Sequence, residues 1–480
     1  MQKVVLVYDD TLIPKDRIKT IIGDKSFGNI VLKRKKLFSR IEEEIKNVKL
    51  DIDFIMINNL RDLQTIYNYS NQTIFFHLMS NYAILNNEKF DVLLEKLQFV
   101  KQIITLKQNN NNIGIIYPDK DTYLDFLEEY QSIGNIDFVK DNNIEIDYLM
   151  NLNDYDNLLL YISGGFDSRY FNSLQGDKYT VTKKSKDKLK MEKEYKYYWL
   201  LPENMKSWMV MPYNFKDNGD YASYTMERMP MTDIAIRWTH EAIDEKEFRQ
   251  IMDKIFYFFS IRPQTDISVE KFEEMQKNLY INKVEKRIEQ LKKLNEYNNL
   301  KTLIQSGTDY NSIDEILAEY EKLYYEMKKK YIKQKKYKSV IGHGDVFFAN
   351  MLYSKEVNLL RLIDPKGCLT KEELWTDEYY DIAKLSHSIC GNYDFFNVDE
   401  YSIELNKNMK FNLNIKFDNK RYIEIFKEYL SEYGFEYNLI RIYEASLFLS
   451  MLPLHIDNPH KVFGFILNAI NIIKEIEKNV

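Results

Sequence analysis

The stretch Val340-Ile-Gly-His343-Gly-Asp345-Val-Phe-Phe-Ala-Asn350 is followed by Leu362-Ile363-Asp364. Three oxygen-bearing side chains at this spacing suit phosphoryl transfer, a reaction that needs positioning and charge neutralisation more than covalent assistance. Asp345 can accept the proton of an attacking hydroxyl and hold that hydroxyl in line. Asn350, five residues on, offers an amide oxygen to a divalent cation. Asp364 closes an apolar run interrupted by Arg361, so a short strand would bring its carboxylate to the same ion. A hard cation such as Mg²⁺ prefers such oxygen donors. His343 has no histidine at a ligand spacing to it, which points to a loop-supporting backbone hydrogen bond.

His-Gly-Asp, four residues, Asn, then a strand ending in Ile-Asp resembles the catalytic loop of aminoglycoside phosphotransferases and choline kinases. Protein kinases carry a related pattern with Asp-Phe-Gly. Here Asp364 is followed by Pro365-Lys366-Gly367, which fits the small-molecule branch better. That form is similar to phosphotransferases of bacterial capsule and surface-polysaccharide loci. The resemblance runs from about Leu158 to the C-terminus. It implies a two-lobed α+β protein-kinase-like domain with a mostly helical C-lobe, using ATP or GTP with Mg²⁺. The acceptor would be a hydroxyl of a sugar, a sugar derivative or an amino alcohol.

A donor site also needs a phosphate-facing turn and a lysine upstream. Ser163-Gly-Gly-Phe-Asp-Ser168-Arg-Tyr lies between the strand candidates Leu158–Ile162 and Tyr179–Thr182. Its glycines and the Ser168 hydroxyl can approach phosphate, although an ordinary hairpin turn reads the same. In Tyr179-Thr-Val-Thr-Lys183-Lys184, alternation puts Val181 and Lys183 on one face, which favours Lys183 over Lys184 as the phosphate ligand. The lysine's partner on the next helix is Glu192 or Glu194; Glu194 stands closer to the family pattern. Tyr224-Thr-Met-Glu227-Arg-Met resembles the hinge between lobes, which makes Glu227 a nucleotide-side candidate. Asp381, in Tyr-Asp-Ile-Ala-Lys, is placed to support the catalytic loop. His387, Tyr393, Asp394 and His455 are candidate acceptor contacts at the mouth of the site.

These residues need at least two folding units, because 480 residues exceed one ordinary domain. Residues 1–145 alternate strand and helix patterns and predict an α/β domain with a largely parallel sheet. Asp9-Asp10 after the first strand suggests a degenerate nucleotidyltransferase, since the expected glycine-rich loop is missing. Residues 146–230 predict a kinase-like N-lobe and 231–480 a helical C-lobe. Segment 264–335 predicts a charged helical insertion, a hairpin broken at Gly307 whose Tyr280, Tyr297, Tyr310 and Tyr320 either face the acceptor or pack against the lower lobe. A net charge of −6 speaks against a nucleic-acid partner. Two cysteines and no long apolar run predict a cytoplasmic chain without membrane insertion. The oligomeric state stays open. Two other functions compete: a nucleotide-binding pseudokinase or scaffold, and a bifunctional kinase and nucleotidyltransferase.

Overall fold

The computed structural model describes residues 2–32, 34–137, 142–163, 172–176, 179–332 and 337–479, with Leu60 and Asn172–Gly176 described in the backbone only. The chain divides into two compact units, Met1–Phe166 and Asp167–Val480. The division falls beyond the expected boundary at 145/146. Leu149–Asn151 pairs with Tyr82–Ile84 and so belongs to the first unit. Tyr155–Ile162 is a helix of that unit, not the expected strand. A short apolar run cannot distinguish the two, and the cap decides: the Asp154 carboxylate accepts from the Asn157 N–H.

The first unit holds a six-stranded sheet of β1 (Val4–Asp9), β2 (Ile52–Ile57), β3 (Ile74–Met79), β4 (Ile104–Gln108), β5 (Asn111–Tyr117) and β6 (Asn143–Glu145), in the order β2-β1-β3-β5-β4-β6. Both faces of β1 and β3 are buried, as their nearly continuous apolar runs require, and the two polar residues within them, Asp9 and His77, lie against each other. Helices α1 (Leu37–Asn47), α2 (Asn87–Lys96) and α3 (Lys120–Ile133) contribute apolar faces to the same core. The sheet is mixed rather than largely parallel, because β5 runs antiparallel to both neighbours. The cause is local. Asn109 and Asn110 take φ of 49° and 66°, so β4 and β5 close a two-residue hairpin of the kind asparagine tolerates.

The second unit opens with an antiparallel sheet of β7 (Asn172–Gly176), β8 (Thr180–Ser185), β9 (Pro212–Asp217) and β10 (Ala222–Glu227), in the order β7-β8-β10-β9. Helix α4 (Lys188–Leu200) connects β8 toward β9 and packs on the sheet through Met191. The rest is mostly helical. Helices α5 (Glu245–Ile261), α6 (Val269–Lys277), α7 (Lys283–Lys292), α8 (Tyr297–Gly307) and α9 (Ile313–Tyr331) precede the strand β11 (Tyr337–Ile341). Strands β12 (Met351–Ser354) and β13 (Leu359–Leu362) form a hairpin, followed by α10 (Tyr380–Ile389), α11 (Tyr437–Met451) and α12 (Pro459–Asn479). Helix α11 is buried almost all round and forms the centre of this body.

Segment 264–335 is four helices rather than a single hairpin, and of its two readings the packing of its tyrosines into the helical body is the one observed. Its four helices enter the core, and Tyr280 and Tyr320 are fully buried. Tyr280 stacks on Tyr443 at 4.0 Å and donates to the Asp377 carboxylate at 2.6 Å. Tyr297 and Tyr310 are half-buried against the same core. A tyrosine ring contributes apolar area wherever its hydroxyl finds a partner, so charge along the segment did not reveal its inner face. Gly307 does not break a hairpin tip. It leaves room for the Phe411 ring, which a Cβ would strike. No helix among the described residues is long and apolar enough to cross a membrane.

Candidate active site

Alternation along β8 sends Lys183 inward and Lys184 outward, where the Lys184 ammonium lies 5.7 Å from the Tyr221 ring. Lys183 Nζ sits 2.7 Å from Glu194 Oε2 and 2.9 Å from Asp364 Oδ1. Glu194 faces in from α4, and the Tyr224 hydroxyl donates to it at 2.9 Å. Glu192 faces out and pairs with Lys196 at 2.6 Å. Burial alone would pull the Lys183 ammonium down, but the Asp364 and Glu194 carboxylates hold it above its ordinary value.

The turn that carries Asp364 is locked onto α4. Asp364 itself takes φ of 55°, a strained value outside glycine that concentrates at functional sites. Gly367 has φ of 78°, and a Cβ there would lie 2.5 Å from the Lys193 carbonyl carbon. Cys368 N–H donates to Lys193 O at 3.1 Å. The glycine therefore lets two backbones meet one residue from Glu194.

The His343–Asn350 segment is held from below by one carboxylate. Asp381 is fully buried; its oxygens accept from His343 N–H at 2.9 Å and Gly344 N–H at 2.7 Å. Arg262 Nη1 donates to the same group at 3.0 Å. Asp381 thus serves the loop and not the cap of its own helix α10. The Tyr197 hydroxyl donates to Gly342 O at 3.0 Å. His343 Nδ1 accepts the Asp345 N–H at 3.3 Å, and burial keeps the ring below its ordinary pKa and neutral.

Asp345 stands above this support with 33% of its side chain exposed. Its Oδ1 lies 2.9 Å from Lys384 Nζ, and its Oδ2 accepts from Asn350 Nδ2 at 3.2 Å. Burial would lower the Lys384 ammonium, but Asp345 and the Tyr380 and Tyr393 hydroxyls together raise it above its ordinary value. Asn350 Nδ2 also donates to Asp345 O at 3.0 Å, which turns the amide oxygen the other way. Ile363 N–H donates to Asn350 O at 3.0 Å, so Asn350 and Asp364 are neighbours through the backbone. An amide oxygen and a carboxylate with 36% of its side chain exposed fit a Mg²⁺ ion that completes its shell with phosphate and water. No group of three or more His, Cys, Asp or Glu among the described residues suits a metal held by protein alone.

The remaining candidates scatter. Ser168 and most of its glycine turn lie outside the described residues. Glu227 ends β10 on an exposed face, opposite Thr180. His387 and Asp394, expected at the mouth, are each 1% exposed. His387 stacks under Tyr393 at 4.3 Å, and burial, then Lys384, push its ring well below the ordinary value. Burial raises the Asp394 carboxyl to about 7. Polar residues on a helix read as a mouth in sequence, but the aromatic neighbours Tyr393 and Phe448 close over His387. Tyr393 is half-buried and meets Phe347 of the loop edge-on at 5.5 Å. His455 is half-buried against Phe465, 5.5 Å between ring centres. Three residues gained a place that sequence did not assign: Arg262, Lys384 and Tyr224. Lys384 was findable, since it lies three residues beyond Asp381 on the same face of α10. Arg262, a cation directly after the apolar end of α5, carried a weaker signal.

In the first unit, Asp9 and Asp10 are consumed internally. Asp9 accepts from Thr11 N–H at 2.9 Å and from the Tyr130 hydroxyl, and His77 Nε2 lies 2.9 Å away. Asp10 accepts from Ser26 Oγ at 2.5 Å and Gly28 N–H at 2.8 Å. Both are buried, so the pair acts as a polar plug at the end of β1.

No family model matches the chain, and no curated protein is similar to it. Among solved structures, the chain is similar to a thermostable mutant of aminoglycoside phosphotransferase APH(4)-Ia in ternary complex with AMP-PNP and hygromycin B. Identity is 8% and the TM-score 0.38, over 64% of this chain and 92% of that one. It is similar to aminoglycoside phosphotransferase APH(4)-Ia at 9% identity and a TM-score of 0.36, over 64% and 91%. The streptomycin–ATP–APH(2")-IIa ternary complex is similar at 16% identity and a TM-score of 0.31, over 65% and 89%.

Proposed function

We propose that the second unit is a small-molecule kinase that transfers the γ-phosphoryl group of ATP or GTP to a hydroxyl. The observation that carries this reading is the convergence of Lys183, Glu194 and Asp364 near a partly exposed Asp345. Asp9 and Asp10 of the first unit, by contrast, are sealed by internal bonds, which favours scaffolding over nucleotidyl transfer there. Lys183, oriented by Glu194, binds donor phosphate oxygens. Asn350 and Asp364 would hold Mg²⁺, which neutralises phosphate charge when bound. Asp345 takes the acceptor proton as the new oxygen–phosphorus bond forms and the bond to the departing nucleoside diphosphate breaks. Lys384 and Asn350 each occupy one Asp345 oxygen, and each oxygen retains a lone pair for the acceptor hydroxyl. His343, Asp381 and Arg262 keep the loop in place. Sugars, sugar derivatives and amino alcohols are the acceptor classes; a surface-glycan setting rests on the Asp-Pro-Lys-Gly resemblance alone.

Screening γ-labelled ATP and GTP against those classes tests the proposal. Label on an acceptor hydroxyl is expected; absence of both transfer and Mg-nucleotide binding would sink it. Within the same reading, Glu194→Gln should weaken Mg·AMP-PNP binding about tenfold or more, as a charge-assisted bond contributes roughly 1.5–3 kcal/mol. Glu192→Gln should leave binding nearly unchanged, because an exposed helical pair contributes only about 0.3–0.5 kcal/mol. Calorimetry on the two variants decides; equal effects would remove Glu194 from the donor site.

A further inference from the structure

Three lysines from separate segments meet around Tyr380, and one of them, Lys384, pairs with Asp345. Lys283 opens α7, Lys366 belongs to the Asp-Pro-Lys-Gly turn, and Lys384 lies on α10. Their common neighbour is Tyr380, one helical turn before Lys384. Lys283 Nζ donates to the Tyr380 hydroxyl at 3.1 Å. Lys366 Nζ lies 5.9 Å from the Tyr380 ring centre. The Lys366 stem crosses Gly344, where a Cβ would lie 2.6 Å from Lys366 Cβ, so this lysine starts directly beside the base. Lys384 is matched by Asp345. Among the described residues, neither Lys283 nor Lys366 is in an ion pair.

The surplus charge is felt locally. Burial would raise the Tyr380 hydroxyl, yet Lys283, Lys384 and Lys366 together pull it below its ordinary value. Its neighbour Tyr379 goes the other way, raised by burial and by nearby carboxylates, and so do the buried Tyr197, Tyr280 and Tyr443. The cluster is open to solvent: Lys366 is exposed and Lys283 half-buried. It also has a side. Lys384 takes Asp345 Oδ1, whereas Asn350, on the cation side, takes Oδ2.

We infer that Lys283 and Lys366 form an anion subsite on the acceptor side of Asp345, and that the acceptor carries a phosphate or carboxylate near its reacting hydroxyl. This rests on the kinase reading and narrows it: a cationic amino alcohol would meet like charge. Lysine ammonium groups bind phosphate as point charges, so two of them tolerate either anion.

The test fills the donor site with Mg·AMP-PNP and titrates inorganic phosphate by calorimetry. The wild-type chain is expected to bind phosphate saturably. The double variant Lys283→Met, Lys366→Met should raise the phosphate Kd about tenfold or more, the factor expected for loss of a charge-assisted contact. Lys366→Arg should keep most of the affinity, because the charge remains. Absence of phosphate binding, or equal binding by the double variant, overturns the inference. A turnover arm compares glucose, glucose 6-phosphate, gluconate and glucosamine. Preference for glucosamine also overturns it, while glucose 6-phosphate against gluconate separates phosphate from carboxylate. Failure of the wild-type chain to bind Mg·AMP-PNP would instead strike the kinase reading itself.

Discussion

Asp345→Asn is expected to cut phosphoryl transfer about 10²- to 10⁴-fold, the range a positioned general base contributes. The substitution keeps the shape of the side chain but removes the proton acceptor and the counter-charge of Lys384. Lys183, Glu194 and Asp364 do not touch Asp345, and Asn350 keeps its bond to the Asp345 backbone oxygen, so Mg·AMP-PNP should bind with nearly wild-type affinity. The loss should therefore fall on kcat, with little change in nucleotide KM. Single-turnover transfer from labelled ATP reads the chemical step directly. A variant that turns over near the wild-type rate would show that the hydroxyl proton leaves by another route.

Asp381→Ala should be the most damaging substitution beneath the loop, at about 3–5 kcal/mol, because it strands a buried charge. Arg262 is 4% exposed and directs Nη1 at Asp381. Removing the carboxylate also leaves the His343 and Gly344 N–H groups without their acceptor. The double variant Asp381→Ala, Arg262→Met removes the stranded cation and should recover part of the loss. Urea unfolding of the two variants against wild type gives the comparison. A single-variant cost below about 1 kcal/mol, the scale of an exposed pair, would mean that water reaches Arg262.

The first unit shows how far local rules reach. The apolar runs of β1, β3 and β5 are readable because a strand buried on both faces needs a largely apolar run. The direction of β5 is not legible in its run, although its cause is local too: two asparagines with positive φ close the hairpin. Tyr155–Ile162 departs from expectation for a different reason. Its apolar content fits strand or helix, and only the Asp154 cap separates them.

The candidate site divides along the same line. Asp345, Asn350 and Asp364 stand out in the sequence because one loop and the following hairpin carry them all, and chain spacing largely determines their separation. Strand parity likewise separates Lys183 from Lys184, but which face turns inward depends on Glu194 and Asp364. Arg262 reaches Asp381 across 119 positions, and Lys283 reaches Tyr380 across 97. No periodicity links such residues. Two of the four helices between 264 and 335, α7 and α9, are readable as helices from their spacing, yet Tyr280 and Tyr320 face the core only because α11 lies there to receive them. Sequence by itself determined the local geometry here, through caps, alternation and the spacing of oxygen donors. Tertiary packing decided which faces are buried and which charges meet, because those depend on surfaces brought together from distant parts of the chain.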